Sequence, residues 1–100
     1  GDPGGAGVQR WKSDVKSALD KLGLSTSESM VNRVLRQINT ESGGNPNAVS
    51  PNGYRGLGQT KEGWGTGSVA QQTAGLVNYA VSRYGSIEGA IQFRLANGWW

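Results

Sequence analysis

Four stretches of the chain repeat apolar residues at intervals of three and four, the spacing that places them on one face of an α-helix. The first set is Val8, Trp11, Val15, Ala18, Leu19 and Leu22. The second set is Val31, Val34, Leu35 and Ile38. Gly23 separates the two predicted helices. Ser25 and Glu28 have the spacing of a capping box, which predicts the start of the second helix, and Gly43 predicts its end just after Ser42.

A glycine-rich stretch, residues 43–67, separates the second predicted helix from the third. It contains eight glycines, too many for a long helix, and is predicted to be a long loop with at most a short β-hairpin around "SPNGY". Ser68 and Gln71 have capping-box spacing, so a third helix is predicted from there to Gly85. Its apolar positions are Ala70, Ala74, Val77, Val81 and Tyr84. The fourth helix, capped by Ser86, has Ile87, Ala90, Ile91 and Leu95.

These elements predict a mainly α-helical fold in one domain. The chain has 100 residues, of which 35% are apolar and 17% charged, so it can form one modest core and lacks the composition of a disordered segment. The Gly/Pro opening, residues 1–7, is predicted to be a linker, with the domain at residues 8–100. We therefore expect a domain excised from a longer chain and monomeric by itself. No apolar run approaches the roughly 20 residues that span a bilayer, so no membrane insertion is expected.

Two residue types that carry much of protein chemistry are absent. The sequence has no cysteine and no histidine. This removes disulfides, the usual zinc sites, and Ser-His and Cys-His nucleophiles, and no metal or cofactor is expected. Acid–base chemistry near neutral pH must then fall to a carboxylate with a raised pKa, or to lysine or tyrosine.

Glu41 is a carboxylate in an unusual position. It follows Ile38 by three residues, at the edge of the apolar face and in the last turn of the second predicted helix. Partial burial and the negative end of the helix dipole both disfavour its anion, which predicts a raised pKa. An acid that stays protonated near neutral pH suits glycosidic bond cleavage. By position alone, the simpler interpretation is favoured: Glu41 is a solvated residue at a helix end, or its carboxylate caps amides in the glycine turn.

The segment "ESGGNPNAVSPNGYRGLGQ", residues 41–59, resembles without a gap the signature of the soluble lytic transglycosylase family of lysozyme-like proteins. The matching positions are Glu41, Ser42, Asn45, Pro46, Ala48, Ser50, Gly53, Gly56, Leu57 and Gln59. The flanking "VNRVLRQINT" and "AGLVNYAVSRYGS" are similar to segments of phage tape-measure proteins and actinobacterial cell-wall lytic enzymes. The resemblance covers residues 31–100 apart from 60–70.

The resemblance implies a lysozyme-like helical domain that cleaves the β-1,4 bond between N-acetylmuramic acid and N-acetylglucosamine in peptidoglycan. Glu41 would be the single general acid and base. It would protonate the leaving oxygen and then accept a proton from the muramoyl C6 hydroxyl, which closes a 1,6-anhydro ring. The N-acetyl group of the substrate would stabilise the positive charge, so no second carboxylate is needed.

Further candidate residues surround this motif. The candidates for substrate binding are Ser50, Tyr54, Gln59, Trp64 and Tyr79. The resemblance implies that Ser50 and Gln59 line the cleft and that Tyr79 contacts the sugar or Glu41, with a core tyrosine as the alternative. Aromatic side chains suit the apolar faces of sugar rings, and the C-terminal Trp99 and Trp100 are candidates on the same grounds. Glu62, in the loop, is a candidate secondary acid or base.

The chain also departs from the family pattern. Gly58 stands where the family has Met, "TKEGWGTG" replaces an apolar-Pro-x-Thr segment, and "AIQFRLANG" stands where an Ala-Tyr-Asn motif is usual. Two alternatives therefore stay open beside the lytic transglycosylase. One is a hydrolytic muramidase, or lysozyme, that acts on the same bond. The other is a non-catalytic module that binds peptidoglycan or has a structural role.

The charge balance changes this interpretation little. Ten Lys and Arg against seven Asp and Glu give a net charge of +3, which favours anionic partners only weakly. The basic residues form no dense run and no groove-reading motif, so no specific nucleic acid is expected as a partner. Peptidoglycan glycan strands are the expected partner. The expected location is the cell wall or the outside of the cell, with the domain either on a phage tail or secreted.

Overall fold

The computed structural model describes residues 6–98, and this part of the chain is mainly α-helical, as predicted. Its elements are α1 (Ala6–Gln9), α2 (Lys12–Lys21), α3 (Glu28–Ser42), a 3-10 helix (Gly63–Thr66), α4 (Val69–Tyr84) and α5 (Ile87–Asn97). Residues 1–5 of the predicted linker and the candidates Trp99 and Trp100 lie outside the described residues, whereas residues 6 and 7 belong to α1. None of the described helices is long and apolar enough to cross a membrane.

The first predicted helix is divided in two at Arg10 and Trp11. The backbone N–H of Trp11 donates to the Val8 carbonyl at 3.0 Å, which closes a turn between α1 and α2. The Trp11 indole Nε1 then donates to the Gly44 carbonyl at 2.7 Å, and Arg10 Nη2 donates to the same carbonyl at 3.1 Å. The break therefore positions two side chains that attach the N-terminal segment to the turn after α3.

Helix α3 ends where the sequence predicts. Gly43 adopts a left-handed conformation with a φ of 64°, and its N–H donates to the Asn39 carbonyl, the closing arrangement that glycine favours. At the other end, the N-cap is Ser27 rather than Ser25, because the Ser27 hydroxyl accepts from the Met30 N–H at 3.2 Å. The apolar positions predicted for α3 are buried. Glu41 consequently lies in the last turn of a helix that is fixed by its core.

The buried face of α4 differs from the apolar line in the sequence. Ala70 of that line is exposed, and Ala74, Val81 and Tyr84 are only partly buried. The buried residues are Gln72, Thr73, Leu76, Val77 and Ala80. Two of them, Gln72 and Thr73, are polar. The Thr73 hydroxyl donates to the carbonyls of Val69 and Ala70. A pattern of apolar residues misses this face, since hydrogen bonding allows polar side chains to be buried there.

Gln72 attaches the glycine-rich loop to α4. Its side chain is part of a residue that is only 2% exposed. Its Oε1 accepts from the Leu57 N–H at 2.7 Å, and its Nε2 donates to the carbonyls of Pro46 at 3.1 Å and Gly67 at 2.9 Å. Gly56 allows this approach, because a Cβ there would meet the Gly65 carbonyl and lie 2.6 Å from Gln72 Oε1. One amide group thus holds three separate points of the loop.

The hairpin predicted in the loop is reduced to a tight turn. The Ser50 N–H donates to the Tyr54 carbonyl at 2.9 Å. Isolated bridges connect Arg55 with Val49 and with Thr60, and no longer strand occurs in residues 6–98. The bridges fold the loop back on itself over the end of α3.

We expect the variant Gln72→Leu to lose about 3 kcal/mol of unfolding free energy, because the leucine leaves one buried N–H and two carbonyl oxygens without their partner. The measurement is urea-induced unfolding followed by circular dichroism. A matched control is Gln92→Leu on α5, where the side chain is exposed; its effect should stay within about 0.5 kcal/mol. Equal losses in the two variants would contradict the anchoring role of Gln72.

Candidate active site

A cleft of about 490 Å³ opens at the C-terminal end of α3. Its lining residues are Thr40, Glu41, Ser50, Asn52, Tyr54, Gln59, Arg94 and Gly98. Helix α3 contributes the first two, the loop contributes the next four, and the last two come from α5 and its C-terminal cap. The fold therefore brings three of the predicted substrate-binding residues into one cleft with Glu41.

Glu41 is largely enclosed in this cleft. Its side chain is 11% exposed. Its Oε1 lies 2.9 Å from Arg94 Nη1 and accepts a hydrogen bond from Gln37 Nε2 at 3.3 Å. Burial raises the pKa of the Glu41 carboxyl above its ordinary value of 4.5, and the Arg94 guanidinium opposes this shift without cancelling it. The net effect favours the acid form of Glu41 relative to an ordinary glutamate.

The residue after Glu41 connects α3 to the loop. The Ser42 hydroxyl donates to the Leu57 carbonyl at 2.8 Å, and its oxygen accepts from the Gly44 N–H at 3.3 Å. Leu57 also donates its N–H to Gln72, so the same residue of the loop is held from both sides. The loop is therefore fixed relative to both α3 and α4, which gives the cleft a defined wall opposite Glu41.

Ser50 and Gln59 shape that wall. The Ser50 hydroxyl accepts from the Tyr54 N–H at 3.1 Å and closes the turn that presents Tyr54 to the cleft. Gln59 donates through Nε2 to the carbonyls of Ala48 at 3.2 Å and Gly56 at 2.9 Å. Its backbone has a φ of 51°, an uncommon conformation for a residue other than glycine and one that clusters at functional sites. Both polar side chains organise the loop from positions that line the cleft.

Trp64 and Tyr79 lie in an adjoining recess of about 50 Å³. Their ring centroids are 6.3 Å apart. The indole packs directly on α4 at Gly75, where a Cβ would lie 2.5 Å from the Cγ atom of the ring. Tyr54 and Gln59 line both this recess and the Glu41 cleft, so the two spaces adjoin. The Tyr79 hydroxyl accepts from Arg83 Nη1 at 2.9 Å. Tyr79 lines the recess and not the Glu41 cleft itself.

Glu62 lies elsewhere. It is exposed and lines a third space together with Trp64 and Tyr79, whereas it is absent from the lining of the Glu41 cleft. Among the described residues that line this cleft, Glu41 is the only carboxylate. The cleft thus offers one acid and one cation, Arg94.

Sequence reasoning missed Arg94 and Gln37. Gln37 precedes Glu41 by four residues in α3, so helical spacing alone could have paired them. Arg94 has no such local signal, because only the packing of α5 against α3 brings it to Glu41. Thr40 and Asn52 also line the cleft without having been predicted there.

Two proteins named "Probable transglycosylase IsaA" are similar to this chain. The protein from Staphylococcus haemolyticus (strain JCSC1435) is 75% identical over 60 residues, which are 60% of this chain and 25% of that protein. The protein from Staphylococcus xylosus is 61% identical over 74 residues, which are 74% of this chain and 29% of that protein. These homologues support a soluble lytic transglycosylase, lysozyme-like family for the chain.

The chain spans less than a third of the length of these two curated relatives. No family model matches the sequence. No solved structure matches it either. The resemblance to phage tape-measure proteins stays a prediction.

The raised pKa of Glu41 makes a prediction about stability. Because the folded chain holds this proton more tightly than the unfolded chain does, stability falls as the pH rises from the unfolded pKa through the folded pKa. At pH 7 the ionisation of Glu41 therefore lowers the free energy of unfolding of the wild type, and Glu41→Gln removes this loss. We expect the variant to have the higher Tm at pH 7, with the difference shrinking below pH 4.5, where Glu41 is protonated in both states.

The measurement is thermal unfolding of both proteins at pH 7 and near pH 4. The variant Glu62→Gln changes an exposed carboxyl group in the loop and serves as the control, with little expected change in Tm. A lower Tm for Glu41→Gln than for the wild type at pH 7 would show that the fold favours the anion, against the raised pKa.

Proposed function

We propose that this chain is a peptidoglycan lytic transglycosylase domain, with Glu41 as the single general acid and base. The substrate bond is the β-1,4 bond between N-acetylmuramic acid and N-acetylglucosamine. The observation that carries the proposal is the enclosed Glu41, the only carboxylate among the described residues of its cleft, with a pKa raised by burial. The two relatives named as probable transglycosylases, at 61% and 75% identity, support the reaction class.

In the first step, the protonated carboxyl of Glu41 gives its proton to the glycosidic oxygen while the bond from this oxygen to C1 of the muramoyl sugar breaks. The leaving N-acetylglucosamine keeps the proton as its 4-hydroxyl group. The N-acetyl group of the muramoyl sugar stabilises the positive charge at C1. Glu41 is then an anion and accepts the proton of the muramoyl C6 hydroxyl, whose oxygen attacks C1. The ring closes as a 1,6-anhydro sugar, no water is consumed, and Glu41 is again protonated.

The two influences on Glu41 suit these two steps. Burial stabilises the acid that begins the reaction, and a bound glycan would exclude further water and strengthen this effect. Arg94, at 2.9 Å, stabilises the anion that remains after proton transfer. A group that must first donate and then accept a proton benefits from both, since one influence stabilises the acid and the other stabilises the anion.

The single carboxylate also bears on the product. Most glycoside hydrolases use two carboxyl groups, one as the acid and the other as nucleophile or as base for a water molecule. The described residues of this cleft offer no partner carboxylate for Glu41. An internal nucleophile, the C6 hydroxyl, requires no such partner. The composition of the cleft therefore favours transglycosylation over hydrolysis.

The adjoining recess gives the glycan a path along the surface. Trp64 and Tyr79 offer aromatic faces beyond Tyr54 and Gln59, in continuity with the cleft. Aromatic rings fit the apolar faces of sugars, so we assign these residues to binding of sugars next to the scissile bond. The domain at residues 8–100 would be the catalytic unit, and it would act in the cell wall. The two bacterial relatives favour a bacterial protein over a phage tail protein.

The test is mass spectrometry of the muropeptides released from purified peptidoglycan. We expect the wild type to release 1,6-anhydro-muropeptides, and Glu41→Gln to release them at least about 100 times more slowly, because the general acid is lost. The control Glu28→Gln changes an exposed carboxylate at the start of α3, paired with Lys12 at 3.3 Å, and should leave the release unchanged.

Three outcomes would overturn the proposal. Products with a free reducing end would identify a hydrolytic muramidase acting on the same bond. Release equal to a sample without protein, together with retained binding to peptidoglycan, would identify a binding module. Anhydro products from Glu41→Gln at the wild-type rate would assign the acid to another residue.

A further inference from the structure

A second cavity, the α3–α5 groove, lies beside the proposed catalytic cleft. It has a volume of about 290 Å³. Its walls include Arg33 and Arg36 from α3 and Ile91, Arg94 and Leu95 from α5. Neither the motif of residues 41–59 nor the proposed reaction gives this groove a role.

The groove is positively charged. Three arginines line it against one carboxylate, Glu88. Glu88 is paired with Arg33 at 2.6 Å, and Arg94 is paired with Glu41 on the side of the cleft. Arg36 is exposed and forms no ion pair with any residue in the described range 6–98. Its guanidinium group therefore offers a donor pair for a carboxylate ligand.

The groove is also apolar. Leu95 is 82% exposed, and Ile91 next to it is only partly buried. An exposed leucine beside arginines matches a ligand that has both alkyl groups and negative charge. A short acidic peptide meets this description, whereas a phosphate polymer with a polyol backbone has no alkyl side chains to cover Leu95.

The groove and the cleft have walls in common. Thr40 and Arg94 line both spaces, and Gln37, which donates to Glu41, lines the groove. A ligand in the groove would thus contact side chains that themselves contact Glu41, the proposed catalytic acid. A group covalently attached close to the scissile bond could therefore reach the groove while the glycan fills the cleft.

We propose that the α3–α5 groove binds the acidic peptide attached to the muramoyl sugar, with a peptide carboxylate on Arg36 and alkyl side chains on Ile91 and Leu95. This inference rests on the proposed function, since it takes the substrate to be peptidoglycan. It adds a specificity site: the domain would recognise strands that carry peptides through a contact outside the sugar cleft.

The test is a titration that requires no turnover. The ¹⁵N-labelled chain is titrated with an N-acetylated tripeptide carrying two free carboxylates, and separately with the same peptide with both carboxylates amidated. We expect saturable shifts of the backbone amides of Thr40 and Ile91 with the acidic peptide, and binding at least about fivefold weaker for the amidated one. Arg36→Gln should weaken binding of the acidic peptide about fivefold as well.

The variant Lys16→Gln is the matched control, because it removes the same charge from an exposed position on α2 and should bind as the wild type does. Equal affinity for the two peptides, equal affinity of Arg36→Gln and the wild type, or the same shifts with equal affinity from inorganic phosphate would overturn the assignment. The titration tests the groove, and the release of muropeptides tests the proposed reaction, so the two results are independent. Active protein without peptide binding would refute the groove alone, and peptide binding without glycan cleavage would refute the proposed reaction alone.

Discussion

The buried amide of Gln72 is the constraint on which the cleft depends. A loop of residues 43–67 with eight glycines has little intrinsic preference for one conformation, and glycine loses more conformational freedom on folding than any other residue. Gln72 offsets this by holding Pro46, Leu57 and Gly67 through three hydrogen bonds from one side chain. Leu57 then connects the loop to the end of α3. The wall opposite Glu41 is therefore set by an interaction on a different helix.

The site itself combines two opposing influences on one carboxyl group. The end of α3 and the surrounding side chains remove Glu41 from water, which favours the neutral acid, whereas Arg94 favours the anion. Burial prevails, so the pKa of Glu41 is raised above 4.5 without a second carboxylate that would raise it by repulsion. Arg94 also lies between the cleft and the α3–α5 groove, since it lines both spaces.

Sequence patterns predicted the parts of this structure that depend on local interactions. The end of α3 at Gly43, the capping box of Ser68 and Gln71, and the cap of α5 at Ser86 are all confirmed, because each requires only neighbouring residues. The sequence also identified Glu41 as a carboxyl group at the edge of an apolar face, and the structure encloses it as expected.

The remaining features depend on contacts between distant residues. The buried face of α4 was predicted only in part: Val77 is buried as expected, but a hydrophobic pattern does not include Gln72 and Thr73, whose hydrogen bonds allow their burial. The division of the first helix follows from the bond between Trp11 and Gly44. Arg94 reaches Glu41 only through the packing of α5. Local periodicity contains none of these contacts.

The most direct measurement of the central claim is the pKa of the Glu41 side chain in the wild-type protein. Selective ¹³C labelling of glutamate, with the resonance of Glu41 assigned by its absence in Glu41→Gln, allows its carboxyl carbon to be titrated by NMR. The structure predicts a midpoint clearly above 4.5, and a further rise when Arg94 is replaced by glutamine. A midpoint at or below 4.5 would mean that the cleft stabilises the anion, and it would contradict the assignment of Glu41 as the general acid.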